Sequence, residues 1–386
     1  MALHSRGFVA ALVSAVALIG ASFSAGAETF TKETDKLLKD LKLDPEVLAD
    51  LDKELDVPKA WVEGATKEGM VRMRLTMDAK AFSSVWKVFA ARYPGIEYEY
   101  VRGIGRERAV VPLMAFKKGT YVSDVVSSYE VMEQDFREAN ALEVIRPLPS
   151  FKNVPEELTT ADGTGASYRL QHWCISYNTK KLTKTDMPKT WNDLVRDPKY
   201  RNGRAGMAGN LHLWLPPLWG VYGDKWLDEY MPALFHDLKP QLRKERLSMT
   251  SQLAALGEFD LTFPAPDFLV RTLEDKGMNV SLHCPDVVPS TTAFLGILRG
   301  NPHPNAARLF ANWLLSKEGQ IANYRADAFI PVHKDLRRKE FMPYPEETAG
   351  KRIASNVAVV RNKTPEIVAE WRKLWMSASG ADSGAD

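Results

Sequence analysis

Cysteine is scarce in this 386-residue chain: Cys174 and Cys284 are its whole complement. No Cys-x-x-Cys occurs and no histidine stands at ligand spacing from either, so zinc and iron-sulfur centres lack a donor set. The pair could close a disulfide in an oxidising compartment or be two buried thiols. Sequence leaves both open, since it does not say whether the Cα atoms come within the roughly 7 Å that a disulfide tolerates. An excess of charge of one sign is also missing. Lys and Arg total 51 against 49 for Asp and Glu, which leaves no broad basic field for a nucleic acid. The chain has no G-x-S-x-G elbow, no H-E-x-x-H, no G-x-G-x-x-G and no Walker loop, so hydrolase, zinc-enzyme and nucleotide-binding signatures are absent. Scattered carboxylates do not define a catalytic pair. No catalytic residue, metal site or cofactor is assigned, and the reading is of a protein that is not an enzyme. There is no fixed-period repeat.

What is present begins with bulk: 45% hydrophobic and 10% aromatic residues are enough for two lobes with separate cores. His4 and Arg6 lead into an apolar run from Phe8 to Gly20, followed by Ala25-Gly26-Ala27 before Glu28. That run is shorter than the ~20 residues of a membrane span. It reads as an export signal, residues 1–27, cleaved near Ala27. No Cys sits at the cut, so the mature protein is expected free in the periplasm. Residues 28–65 carry Leu37, Leu38, Leu41, Leu48 and Leu51 at helical spacing, with Asp44-Pro45 as a cap and first helical residue. This predicts a helical extension packed on the main body.

From Gly69 strands alternate with helices. Met70 to Leu75 alternates as a strand, Ala79 to Tyr93 is amphipathic, Pro94-Gly95 breaks it, and Ile96 to Val101 alternates again. Arg106 to Lys118 predicts a helix, Ser123 to Ser128 a strand and Val131 to Asn140 a helix. A Pro, Thr, Gly and Asp-rich connection, 147–165, precedes a strand at Tyr168 to Tyr177 and a helix capped by Thr190. Later strands are expected at Phe259 to Phe263, Val280 to His283 and Thr291 to Arg299, with a helix at Pro304 to Leu315. The tail 377–386, rich in Gly, Ser, Ala and Asp, reads as disordered. Such α/β sheets bind ligands at the carboxyl ends of their strands.

Landmarks in a fixed order carry more. They are Glu68-Gly69, Tyr93-Pro94-Gly95-Ile96, Val101-Arg102-Gly103, Ser123-Asp124-Val125-Val126, Tyr177-Asn178-Thr179 and Pro188-Lys189-Thr190-Trp191-Asn192-Asp193-Leu194. Then come Asp197-Pro198-Lys199-Tyr200, Asn301-Pro302-His303-Pro304-Asn305-Ala306-Ala307, Phe310 to Trp313, and Leu315-Ser316-Lys317-Glu318-Gly319-Gln320. Together, over about Gly64 to His333, they resemble the extracellular solute-binding proteins of ABC transporters, in particular the ferric-iron type. The resemblance implies an α/β, type II periplasmic-binding fold: two α/β lobes joined by two hinge strands, near Tyr168 to Asn178 and Val287 to Leu298. Lobe 1 would comprise 66–165 and 286–335, and lobe 2 would comprise 166–285 and 336–376. It also implies hinge closure on a solute, an inner-membrane permease as partner, and a monomer.

Candidate ligand residues follow from strand ends, helix starts and a Gly turn: Thr76, Asp78, Arg102, Arg106, Ser127, Ser128 and Tyr129 in lobe 1, then His172, Trp173, Asn210, His212 and Asp267 in lobe 2. Plain capping accounts equally well for the serines. Ferric-binding members present adjacent tyrosines after the strand that follows a Gly-Glu motif. Here Gly257-Glu258 leads through that strand to Pro264-Ala265-Pro266-Asp267, without the pair. A small organic solute, anionic in character, is therefore expected. A ferric site of other donors and a ligand-presenting periplasmic sensor are the alternatives.

Overall fold

A computed structural model describes residues 30–103, 107–355 and 358–380, and for 129–133 and 358–361 it describes the backbone alone. The export signal and residues 381–386 lie outside the described residues. In chain order the strands are β1 (Met70–Leu75), β2 (Glu97–Arg102), β3 (Val125–Tyr129), β4 (Ala166–Asn178), β5 (Ala205–Ala208), β6 (Gln241–Arg243), β7 (Leu261–Pro266), β8 (Val280–His283), β9 (Val288–Ile297) and β10 (Ile353–Ser355). Helices Ala79–Arg92, Glu107–Lys117 and Glu130–Glu138 follow β1, β2 and β3 in turn. β1 lies parallel to both β2 and β3, as crossover helices require.

Two sheets meet on β4. Its first half pairs antiparallel with β9, from Ala166 opposite Leu295 to His172 opposite Ser290. Its second half pairs with β7 and β8, Trp173 standing opposite Pro266 and Asn178 opposite Val280. A 13-residue strand is roughly 40 Å long, enough to serve both. β9 in turn pairs with β3 through Ala293 to Ile297 and with β10 through Val288 to Ser290. β4 and β9 are thus the two strands on which the lobes join.

Side-chain alternation along β4 feeds separate cores. Trp173, Ile175 and Tyr177 enter a cluster with Trp191, Trp214 and Phe263. Cys174 faces the opposite way and is bonded to Cys284, with Cα atoms 4.5 Å apart. Register explains the pairing: Ile175 lies opposite His283, which brings the preceding and following residues together. In the other lobe Phe82, Phe89, Phe310 and Trp313 form an aromatic core. Thr190 caps helix Trp191–Arg196, as expected, and does so through a reciprocal box with Asp193.

The extension is built into the fold. Helix Lys32–Leu41 buries Leu37 and Leu38, and Asp44 caps the 3-10 turn Pro45–Leu48 with Pro45 first. The Glu318 carboxylate, fully buried, accepts from the Thr34 hydroxyl, the Arg92 guanidinium and the Trp313 indole. Glu54 of the extension accepts from the backbone N–H of Lys317 and bonds His333. At the other end helix Ala358–Ser379 buries Ile367, Trp371 and Trp375 in the Trp214 cluster. It runs three residues into the stretch read as a disordered tail. Among the described residues no helix is long and apolar enough to cross a membrane.

Candidate binding site

The site forms where β4 changes partners. Leu170 exchanges both backbone hydrogen bonds with Ile330, and Trp173 lies opposite Pro266. Between these two pairings the N–H of His172 donates to the carboxyl group of Asp267, first residue of helix Asp267–Asp275. Asp267 also accepts the Phe268 N–H at 2.8 Å. Burial raises its carboxyl to about 7 against the pull of these donors and of Arg169. From the other side comes Asp327, last residue of helix Lys317–Asp327. Burial lifts it to about 6, although Arg169, Arg102 and the Asp78 N–H all favour its ionised form.

Arg169 stands between the two acids. A bulge at Ser167 to Arg169 breaks the β4 register and re-aims the side chains that follow. The Arg169 guanidinium carbon lies 3.7 Å from the Phe329 centroid, 6.0 Å from Phe268 and 5.8 Å from Tyr168, and the residue is 2% exposed. Phe268 and Phe329 contact each other with centroids 4.4 Å apart. One Asp and one Phe from each side therefore grip a cation borne by the shared strand.

Hydroxyl groups continue the polar surface. The Tyr168 hydroxyl bonds Thr76 at 2.8 Å and accepts from Ser127 at 3.4 Å. Ser128 is fully buried and its Oγ has no partner among the described residues. The Tyr100 phenol, pushed up by burial, donates to the Met77 carbonyl at 2.6 Å. His172 is buried with an unpartnered Nδ1, and desolvation lowers it to about 4, so its ring is neutral at pH 7.

Of the residues expected from sequence, Thr76 and Ser127 meet at the Tyr168 hydroxyl, and His172 meets Asp267. Asp78 caps helix Ala79–Arg92 and pairs with Arg102 at 3.2 Å, both half-exposed. Trp173 points away from this group into the core, its indole N–H donating to Thr291 at 2.8 Å. Asn210 and His212 occupy a separate stretch, the turn after β5, which packs against β9. Arg106 and the Tyr129 side chain lie outside the described residues. Arg169, Asp327, Phe268 and Phe329 are the additions. An arginine within the stretch Tyr168 to Tyr177, read as a strand, was the one signal available for them. Pro264, Ala265 and Pro266 close β7 as buried residues. Among the described residues no group of three His, Cys, Asp or Glu is placed to hold a metal ion.

Two α/β lobes joined by two hinge strands, with polar groups gathered where the strands cross, define a type II periplasmic-binding fold. The chain belongs to the bacterial extracellular solute-binding protein family, which matches residues 87–348. It is similar to iron-bound HitA of Pseudomonas aeruginosa, at 19% identity and a TM-score of 0.67 over 79% of this chain and 99% of that one. It is also similar to AfuA of Actinobacillus pleuropneumoniae with fructose-6-phosphate bound, at 16% identity and a TM-score of 0.64 over 80% and 98%. The Trichodesmium FutA protein in complex with iron and citrate gives 15% identity and a TM-score of 0.62 over 81% and 99%. No curated protein matches the sequence. The fold and family are those of solute-binding proteins that serve ABC transporters, whose partners are inner-membrane permeases and whose place is the periplasm. They are substrate-binding transport proteins and not enzymes.

Proposed function

We propose that this chain captures a small organic anion in the gap where β4 changes sheets, closing its lobes about β4 and β9. The observation that carries the reading is Arg169: a buried guanidinium on the shared strand, walled by Phe268 and Phe329 and adjoined by the Tyr168, Thr76 and Ser127 hydroxyls. A planar, permanently charged donor fork suits a carboxylate or phosphoryl group, and aromatic walls suit an organic body. The lobes would be 66–165 with 286–335 and 166–285 with 336–376. The mature chain, freed of its signal near Ala27, would act as a periplasmic monomer that delivers solute to its permease. AfuA, similar in fold, has fructose-6-phosphate bound, which supports this reading.

The test is a thermal-shift screen of the mature chain against sugar phosphates, phosphonates, di- and tricarboxylates, amino acids, polyamines and Fe(III). A solute at a hundred times its Kd stabilises the folded state by about 2.7 kcal/mol. One class of organic anion should raise Tm, and Arg169→Gln should abolish the shift. A response to Fe(III) or polyamines alone, or one indifferent to Arg169→Gln, would refute the proposal.

A further inference from the structure

A second cationic group lies beside the first, across Thr76. Arg74 is on β1, two residues before Thr76, and its side chain is 9% exposed. Its Nη1 lies 3.4 Å from the Glu107 carboxylate, a residue 63% exposed, while its Nε is buried and has no partner among the described residues. Arg108, in the first turn of helix Glu107–Lys117, is also buried. Gly103 follows β2 and brings the two together: a Cβ placed on it would collide with the Arg108 Cβ and touch the Arg74 Cγ at 3.5 Å. β3 lies parallel to β1 with Val126 opposite Arg74. Two residues further along, Ser128 is therefore level with Thr76 on the same side.

Two buried guanidinium groups and a buried hydroxyl without a partner thus converge from β1, β3 and the helix after β2. Among the described residues Glu107 is the acid bonded to Arg74, and its side chain is largely exposed. A guanidinium is rarely buried unless an anion meets it, and the acid that meets Arg74 is an exposed one. Donors arriving from three elements suit a group with several oxygens more than a planar carboxylate.

We propose that Arg74, Arg108 and Ser128 form an oxyanion subsite that takes the phosphoryl group of the solute, displacing Glu107. This rests on the reading of an organic anion at Arg169 and narrows it to organic phosphates or phosphonates. The phosphoryl end lies by Gly103 and the remainder extends past Thr76 and Tyr168 towards Arg169.

Isothermal titration of the mature chain with inorganic phosphate tests the subsite without the rest of the solute. The wild type should bind phosphate. Arg74→Gln should weaken binding by roughly tenfold to a hundredfold, the range of a lost charge-assisted bond. Ser128→Ala should weaken it several-fold. If Arg74→Gln does not fold, Arg108→Lys and Ser128→Ala carry the test. Absence of phosphate binding by the wild type, or binding insensitive to Arg74, Arg108 and Ser128, would overturn the subsite. Sensitivity to Arg169→Gln alone would also overturn it, by placing phosphate in the gap, while the organic-anion reading stood.

Discussion

The guanidinium of Arg169 packs on the ring of Phe329 at 3.7 Å. Arg169 belongs to the strand common to both sheets, and Phe329 follows a helix that packs on the first lobe. Phe268, which meets the same ring, opens a helix that packs on β8 of the second lobe. A ligand bonded to Arg169 therefore reports to both lobes through one residue. Arg169→Lys keeps the charge but loses the fork. Both Arg169→Lys and Arg169→Gln should weaken solute binding by about tenfold to a hundredfold, the scale of a charged hydrogen bond. Phe329→Ala should lower stability by about 3–5 kcal/mol, as other buried aromatic truncations do. Titration calorimetry and denaturant unfolding separate the two effects.

Acidity at Asp327 gives a prediction with a definite sign. Its carboxyl is raised from 3.8 to about 6 in the folded chain. The native state then holds this proton more tightly than the unfolded state does, so stability falls as pH rises from about 4 to about 6 and the loss is constant above. Asp327→Asn removes the titration and keeps an oxygen for the Asp78 N–H. Its Tm should match wild type near pH 4 and exceed it increasingly up to pH 6. A gain that is largest at pH 4 would contradict the assignment.

The Cys174–Cys284 bond closes a long loop, with a sequence separation of 110. Reduction, or the double substitution to alanine, should cost about 2–5 kcal/mol. Unfolding in denaturant with and without reductant measures it.

What could be read from sequence and what could not divide along physical lines. Local rules placed the Thr190 cap, the Asp44-Pro45 start and the alternation of β1, because each depends on residues a few positions apart. The two crossing strands were legible through ordered landmarks rather than periodicity. Cys174 and Cys284 stayed open because their pairing rests on the β4 to β8 register, which no local pattern sets. Trp173 was a candidate from sequence and Arg169 was not, because the direction of a strand side chain also depends on pairing. The bulge breaks the register just before Arg169, while Trp173 points to the core. Asp327 and Phe329 reach the site from a helix more than 150 residues away in sequence, whose placement depends on Glu318 and Gln320.

Glu318 supports that placement. Four donor bonds from Thr34, Arg92 and Trp313 compensate its buried charge. Glu318→Ala would remove the shared acceptor of Thr34, Arg92 and Trp313 and should cost about 3–5 kcal/mol. Thr34→Ala should cost about 1–3 kcal/mol by removing one buried donor. Chemical denaturation reads both, and a neutral Glu318→Ala would mean that the extension is merely appended.

The central claim, an organic anion held at Arg169, is tested most directly by native mass spectrometry. The mature chain would be offered sugar phosphates, phosphonates, carboxylates, polyamines and Fe(III) together. The account predicts a one-to-one adduct with the mass of an organic anion, retained by wild type and lost by Arg169→Gln. An iron or polyamine adduct, or an organic adduct held equally by Arg169→Gln, would contradict it.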